Sequence, residues 1–258
     1  ESKNGYIQML GPMKVNDVYF KTPYAIVADN PNNDFAGVVS AKCGAIVLTD
    51  NNDISLGNIS ANGALAYTGE GKESISVLSL NGDITINSDA TISSSHKNGR
   101  VDLMTTTGNI AINGDVTCVG DVFASSSVNG DISVSGDIVS EKCFALMAVD
   151  GDVSVDGRVQ SYDSFVSTSK GSVFFNGSLK GENNVMVGSS NGSIYMNGIV
   201  DAFGTDGYAL LNIEGDGDVV FGTEGLLKGT HGVGVLIENG DVFGSSTAVS
   251  EKNGFLSK

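Results

Sequence analysis

One phrase recurs along this chain of 258 residues: Gly or Asn, then usually Asp, Asn or Ser, then Ile or Val, one further residue, and a second apolar residue. Clear copies begin at Gly82 (GDITI), Gly108 (GNIAI), Gly130 (GDISV), Gly151 (GDVSV), Gly171 (GSVFF), Gly192 (GSIYM), Gly217 (GDVVF) and Gly240 (GDVFG). Weaker copies begin at Gly11 (GPMKV), Asn33 (NDFAG) and Asn52 (NDISL). The steps between the eleven starts are 22, 19, 30, 26, 22, 21, 20, 21, 25 and 23 residues, a mean near 23. A copy of that size cannot bury its own apolar side chains, whereas stacked copies share a continuous core. The period therefore predicts a solenoid.

Each copy carries more detail. A second glycine often follows six residues after the first (Gly114, Gly136, Gly157, Gly177, Gly198), and an apolar residue two later (Val116, Ile138, Val159, Leu179, Val200). A third apolar stretch closes the copy, as at 24–28, 45–48, 75–80, 101–104, 144–149, 185–187, 208–213 and 233–237. Each copy thus reads as strand, glycine corner, short strand, loop, strand and Gly/Asn turn. Period-two alternation puts two residues of the opening strand on one side. Stacking makes each a column. The first is Met13, Phe35, Ile54, Ile84, Ile110, Ile132, Val153, Val173, Ile194, Val219 and Val242. The second is Val15, Gly37, Leu56, Ile86, Ile112, Val134, Val155, Phe175, Met196, Phe221 and Gly244.

The reading is an all-β fold: a parallel β-solenoid or β-arch stack of about eleven coils with a period of about 20–26 residues, forming one domain over 1–258. Eleven coils give a rod on the order of 50 Å long at the ~4.8 Å inter-strand spacing. Long steps mark polar insertions near 66–74 and 93–99. Thirty-five glycines with only three prolines suit many turns between many strands, because proline deletes ladder donors. No window has helical periodicity with caps, and an antiparallel sandwich needs no recurring phrase.

Residues 3–10 resemble 97–104, and 249–258 resemble 139–146 and 39–46, so the chain enters and leaves inside the repeat. With no capping helix or charged plug in the sequence, both ends are expected to be uncapped and open to pairing with neighbours.

Candidate chemistry is sparse. The carboxylates Asp83, Asp131, Asp152, Asp218 and Asp241 follow the opening glycine, but Asn109, Ser172 and Ser193 fill the same column. A turn role tolerates that exchange and a catalytic one does not. Ca²⁺ is a candidate ligand of the acidic column, although the glycine-rich calcium nonapeptide is missing. His96 and His231 lie in loops without ligand-spaced partners, and arginine is limited to Arg100 and Arg158. Cys43 and Cys143 occupy matching contexts (VSAKC, VSEKC) four coil starts apart, and Cys118 sits one coil before Cys143. Buried thiols are the plain reading of all three, with inter-subunit disulfides through Cys43, Cys118 and Cys143 as the alternative. Asn58, Asn176 and Asn191 head N-x-S sequons, a weak signal in so polar a chain. The net charge of −16 argues against nucleic acid or anionic lipid, and no apolar run is long enough to insert in a membrane.

The GDI-x-V-x-G-x-V phrase at about 20-residue spacing resembles the coils of filamentous-haemagglutinin-like adhesins, and those of bactofilins, which are shorter. It is also similar to methanogen sheath proteins, which form stacked β-arch hoops outside the cell. These resemblances imply an extracellular structural protein without catalytic or cofactor sites. They point to homopolymers built through solenoid ends and edges, with cell-surface or carbohydrate contacts. The stalk of a surface adhesin is the alternative, and a polysaccharide-active β-helix enzyme a distant third.

Overall fold

The computed structural model describes residues 6–65, 73–126, 128–244, 247–250 and 253–257. Among these there is no helix, and the strands pair in parallel from coil to coil. Each complete coil has three strands. The coil opening at Gly108 places Ile110–Ile112 on a first wall, Asp115–Cys118 on a second and Asp121–Ser126 on a third. Each strand pairs with its counterpart one coil before and one coil after. The third wall is the most regular, a sheet of twelve strands from Tyr6–Gln8 to Asn253–Ser257.

The first column stacks as the spacing predicts, from Ile54 through Ile84, Ile110, Ile132, Val153, Val173, Ile194 and Val219 to Val242. From Ile84 to Val219 all are fully buried. β-branched side chains dominate because they fit a pleated, stacked surface, and burying each contributes roughly 1.5–3 kcal/mol. On the third wall a large residue has a small one beside it. Phe144 on the third wall lies between Val122 and Ser164, whose hydroxyl meets that of Ser161 at 2.6 Å.

The first two coils depart from the expected register. Val15 pairs with Phe35, not Gly37, and Leu56 lies on Val39, not on Gly37. Two buried polar side chains explain the shift. Asn33 donates to the carbonyls of Ala28 (2.9 Å) and Thr49 (3.0 Å) and accepts from the Met13 N–H (2.8 Å). The Asp50 carboxylate takes the Phe35 N–H (2.9 Å), which would otherwise seek a strand partner. Ile54–Ala61 then runs through the corner and serves two walls, with a register shift between Val39 and Ala41.

The two expected insertions fall differently on the described residues. Residues 66–72 lie outside the described residues, and Glu73 and Ser74 already belong to the strand Glu73–Ser79. Ser93 and Ser94 belong to Thr91–Ser94, so the second loop spans 95–99.

Both glycine columns exist because adjacent coils approach closely. A Cβ on Gly136 would overlap the carbonyl of Gly114, one on Gly157 that of Gly136, and one on Gly177 that of Gly157. The opening glycines behave alike, Gly130 against Gly108 and Gly151 against Gly130. The requirement is for space. Gly136→Ala is expected to lower stability by about 1–3 kcal/mol in denaturant titration, as overpacking does, while Gly11→Ala, with no atom within 4 Å of its added carbon, stays near neutral.

Candidate functional site: polar ladders at the corners

The strand ladder leaves specific N–H groups without a carbonyl at each corner. In the first-wall strands the N–H of the first apolar residue donates to the next coil, as Ile110 does to Asp131 and Ile132 to Asp152 (both 2.9 Å). The preceding residue's N–H points the other way and meets a side chain. The Asn109 N–H donates to Asp83 Oδ1 (2.7 Å), Asp131 N–H to Asn109 Oδ1 (2.8 Å), and Asp152 N–H to Asp131 Oδ1 (2.8 Å). The series continues with Ser172 N–H to Asp152 Oδ1, Ser193 N–H to Ser172 Oγ and Asp218 N–H to Ser193 Oγ, and ends with Asp241 N–H on Asp218 Oδ1. Asp, Asn and Ser share this column because each offers a short-armed oxygen acceptor. The sequence assigned these side chains to local turns. The structure shows instead that they bridge coils, to partners 20–26 residues away.

The other corners use the same device. The Asp137 N–H donates to Asp115 Oδ1 (3.0 Å), Arg158 N–H to Asp137 Oδ1 (3.3 Å), and Thr91 N–H to Asn58 Oδ1 (2.8 Å). At the third corner Asp121 Oδ1 accepts from Cys143 N–H (3.1 Å) and Asp163 Oδ1 from Asn184 N–H (3.0 Å). Of the sequon residues, Asn58 and Asn176 sit in such ladders, Asn176 donating to Asp156 (2.6 Å) and accepting from Asn197 (2.9 Å). Buried hydroxyls finish the third wall: Thr168 donates to the Gly151 carbonyl (2.6 Å) and Ser189 to that of Gly171 (2.9 Å).

Beside the first-corner ladder runs a shallow trough. Ala111, Ser133 and Ser154 line it alongside Asp83, Asn109, Asp131 and Asp152, and Phe174 borders it. Phe174 stacks on Tyr195 with ring centres 4.9 Å apart and planes at 3°. Among the described residues no three His, Cys, Asp or Glu side chains converge as a metal site.

The remaining candidates are dispersed. His96 Nδ1 accepts from the Asn98 N–H (3.3 Å). His231 faces Asp206 at 3.7 Å and packs against Tyr208, six coils further on and so about 29 Å away by the stacking rise. The matching contexts of Cys43 and Cys143 are not equivalent positions. Cys43 ends a second-wall strand in the column that passes through Ala61, Ser94 and Cys118 to Ser140, whereas Cys143 opens a third-wall strand. All three thiols are free. Cys43 and Cys118 are buried, so a disulfide to another subunit through either requires the coil to open; Cys143 is half-buried. Burial pushes the Cys43 thiol up to about 11 and raises the other two, which suppresses the reactive thiolate.

The spacing pattern missed one charged cluster. Arg100 Nε donates to Asp102 Oδ2 (2.7 Å) and its guanidinium lies 3.9 Å from Glu73, both carboxylates being almost fully buried. Asp102 Oδ1 has no hydrogen-bond partner. Burial raises the Asp102 pKa to about 6, opposed by the Arg100 hydrogen bond and charge. Only its place in an outward column otherwise filled by residues such as Phe123 and Ala145 hints at this cluster in the sequence.

Two predictions follow from these groups. Asp131→Ala removes the acceptor of the Asp152 N–H and should cost about 1 kcal/mol in urea unfolding, whereas Asp131→Asn, matching Asn109, should be close to neutral. For Asp102 the folded-state pKa lies above the unfolded one, so the fold binds the proton more tightly between pH ~4 and about 6. Stability should therefore rise as pH falls through that window. Asp102→Asn should abolish this component and stabilise the protein at pH 7 by an amount on the order of 2 kcal/mol, read from melts across pH.

Comparison with protein-family models, with curated proteins and with solved structures finds no match, so the chain is placed by its architecture alone, as a three-walled parallel β-solenoid.

Proposed function

We propose that this chain is an extracellular structural protein that self-assembles through the ends and edges of its solenoid into a filament, hoop or sheath. The observation that carries this reading is that, from the coil opening at Gly82 onward, contacts between coils repeat the same chemistry. Strand ladder, buried column, glycine corner and side-chain acceptor recur from coil to coil. A coil from another chain presenting the same pattern would meet the same complement. The acidic, glycine-rich composition agrees with a surface exposed outside the cell. In this reading the carboxylate column serves stacking, and neither a cofactor nor a bound cation takes part.

Electron microscopy and fibre diffraction test the proposal. Assemblies should be longer than the ~50 Å of eleven coils and should give a meridional reflection near 4.8 Å. Fusing a folded domain after Lys258 should stop axial growth. Monodisperse rods of single-chain length at all concentrations would refute the proposal and favour an adhesin stalk.

A further inference from the structure

The outer face of the third wall carries a broad uncharged patch on this acidic chain. Two adjacent outward columns cross six strands, from Asp121–Ser126 to Gly232–Asn239. The first runs through Phe123, Ala145, Phe165, Met186 and Leu210 to Gly234; the second runs from Ser125 through Met147 to Leu236. None of these twelve positions carries a charge, on a chain whose net charge is −16. Met147, Phe165 and Met186 are 40, 37 and 41% exposed, and Tyr208 at the border 47%. Charged groups stand at the margins, among them Asp121 and Asp163 on one side and Glu214 and Glu238 on the other.

We infer that this face is a lateral docking surface for a second copy of the same chain. Three arguments select that occupant. A partner as acidic as this one can approach closely only where carboxylates are missing, whereas a cationic partner would be met by them. About a two-fold axis on the fourth of these strands, five strands of each copy overlap; at ~4.8 Å by six residues at ~3.3 Å that is roughly 480 Å² per copy, so two copies together come close to the ~1,000 Å² of a specific interface. The face is also self-complementary. A two-fold axis along the strand Asn184–Ser189 brings Phe165 opposite Leu210 of the second copy, Met147 opposite Leu236 and Ala145 opposite Gly234. Apolar thus meets apolar, and the smallest residues face each other. The two solenoids run antiparallel in this arrangement, as an isologous contact requires.

This inference deepens the assembly reading, yet it is separable from it, because lateral pairing sets the width of a particle and end stacking its length. Sedimentation velocity across the micromolar range, with widths measured by electron microscopy, should show paired solenoids for the parent chain. Phe165→Glu or Leu210→Lys alone should weaken pairing by ~10-fold or more, the scale of an interface hot spot. The double variant places Glu opposite Lys at both symmetric contacts and should restore pairing, which a folding defect could not do. Single-width particles of the parent chain, whatever their length, would overturn the inference. So would pairing indifferent to the single substitutions or unrestored in the double variant. Paired particles that never lengthen would support it while sinking axial assembly.

Discussion

Backbone hydrogen bonding between one coil and the next sets the only repeat distance this molecule has, ~4.8 Å, and the rest of the chain conforms to it. At that spacing, corners that turn sharply bring carbonyls of one coil against the α-carbons of another, which is why glycine recurs in register at Gly114, Gly136, Gly157 and Gly177. The same spacing converts alternating strands into columns whose members touch only their own kind, so a sequence that repeats one aliphatic position builds a core without distant contacts. Stability is then nearly a sum over neighbours. A defect in one coil is felt by the two beside it.

The corners show how backbone polarity is managed where strands end. N–H groups that leave the ladder would be costly if left unmet. Asp, Asn and Ser supply them from the preceding coil, while Ser and Thr of the third wall take up nearby carbonyls. An acidic row that resembles a reactive or ion-binding feature in one dimension thus has a structural occupation in three. The carboxylate oxygen engaged by the next N–H is committed to the fold, and the column's tolerance of serine reflects that shared duty.

Much of this was legible before any coordinates, because stacking writes itself into sequence as period. Ile84, Ile110, Ile132 and Val153 fell on successive layers as their spacing required. The errors arose where a coil obeys something other than the repeat. Asn33 and Asp50 displace the register of Val15 and Phe35 with side-chain bonds that no periodicity encodes. The similar words VSAKC and VSEKC misled because the third corner falls three residues apart in the two coils, leaving Cys43 level with Ser140. Arg100 and Asp102 form their pair on the outside of a wall, where alternation predicts polarity but not burial. Surface chemistry of this sort depends on what covers it. A one-dimensional pattern does not carry that information.

From Asp53 to Asp218 the acceptor series at the first corner runs one way: a side chain of each coil receives from the backbone of the coil that follows in sequence. This gives the rod a chemical arrow. A coil presented upside down would set oxygen against oxygen and leave N–H groups facing each other. Two rods can therefore continue one another end to end in a single sense only, and each single file of coils has a distinguishable front and back.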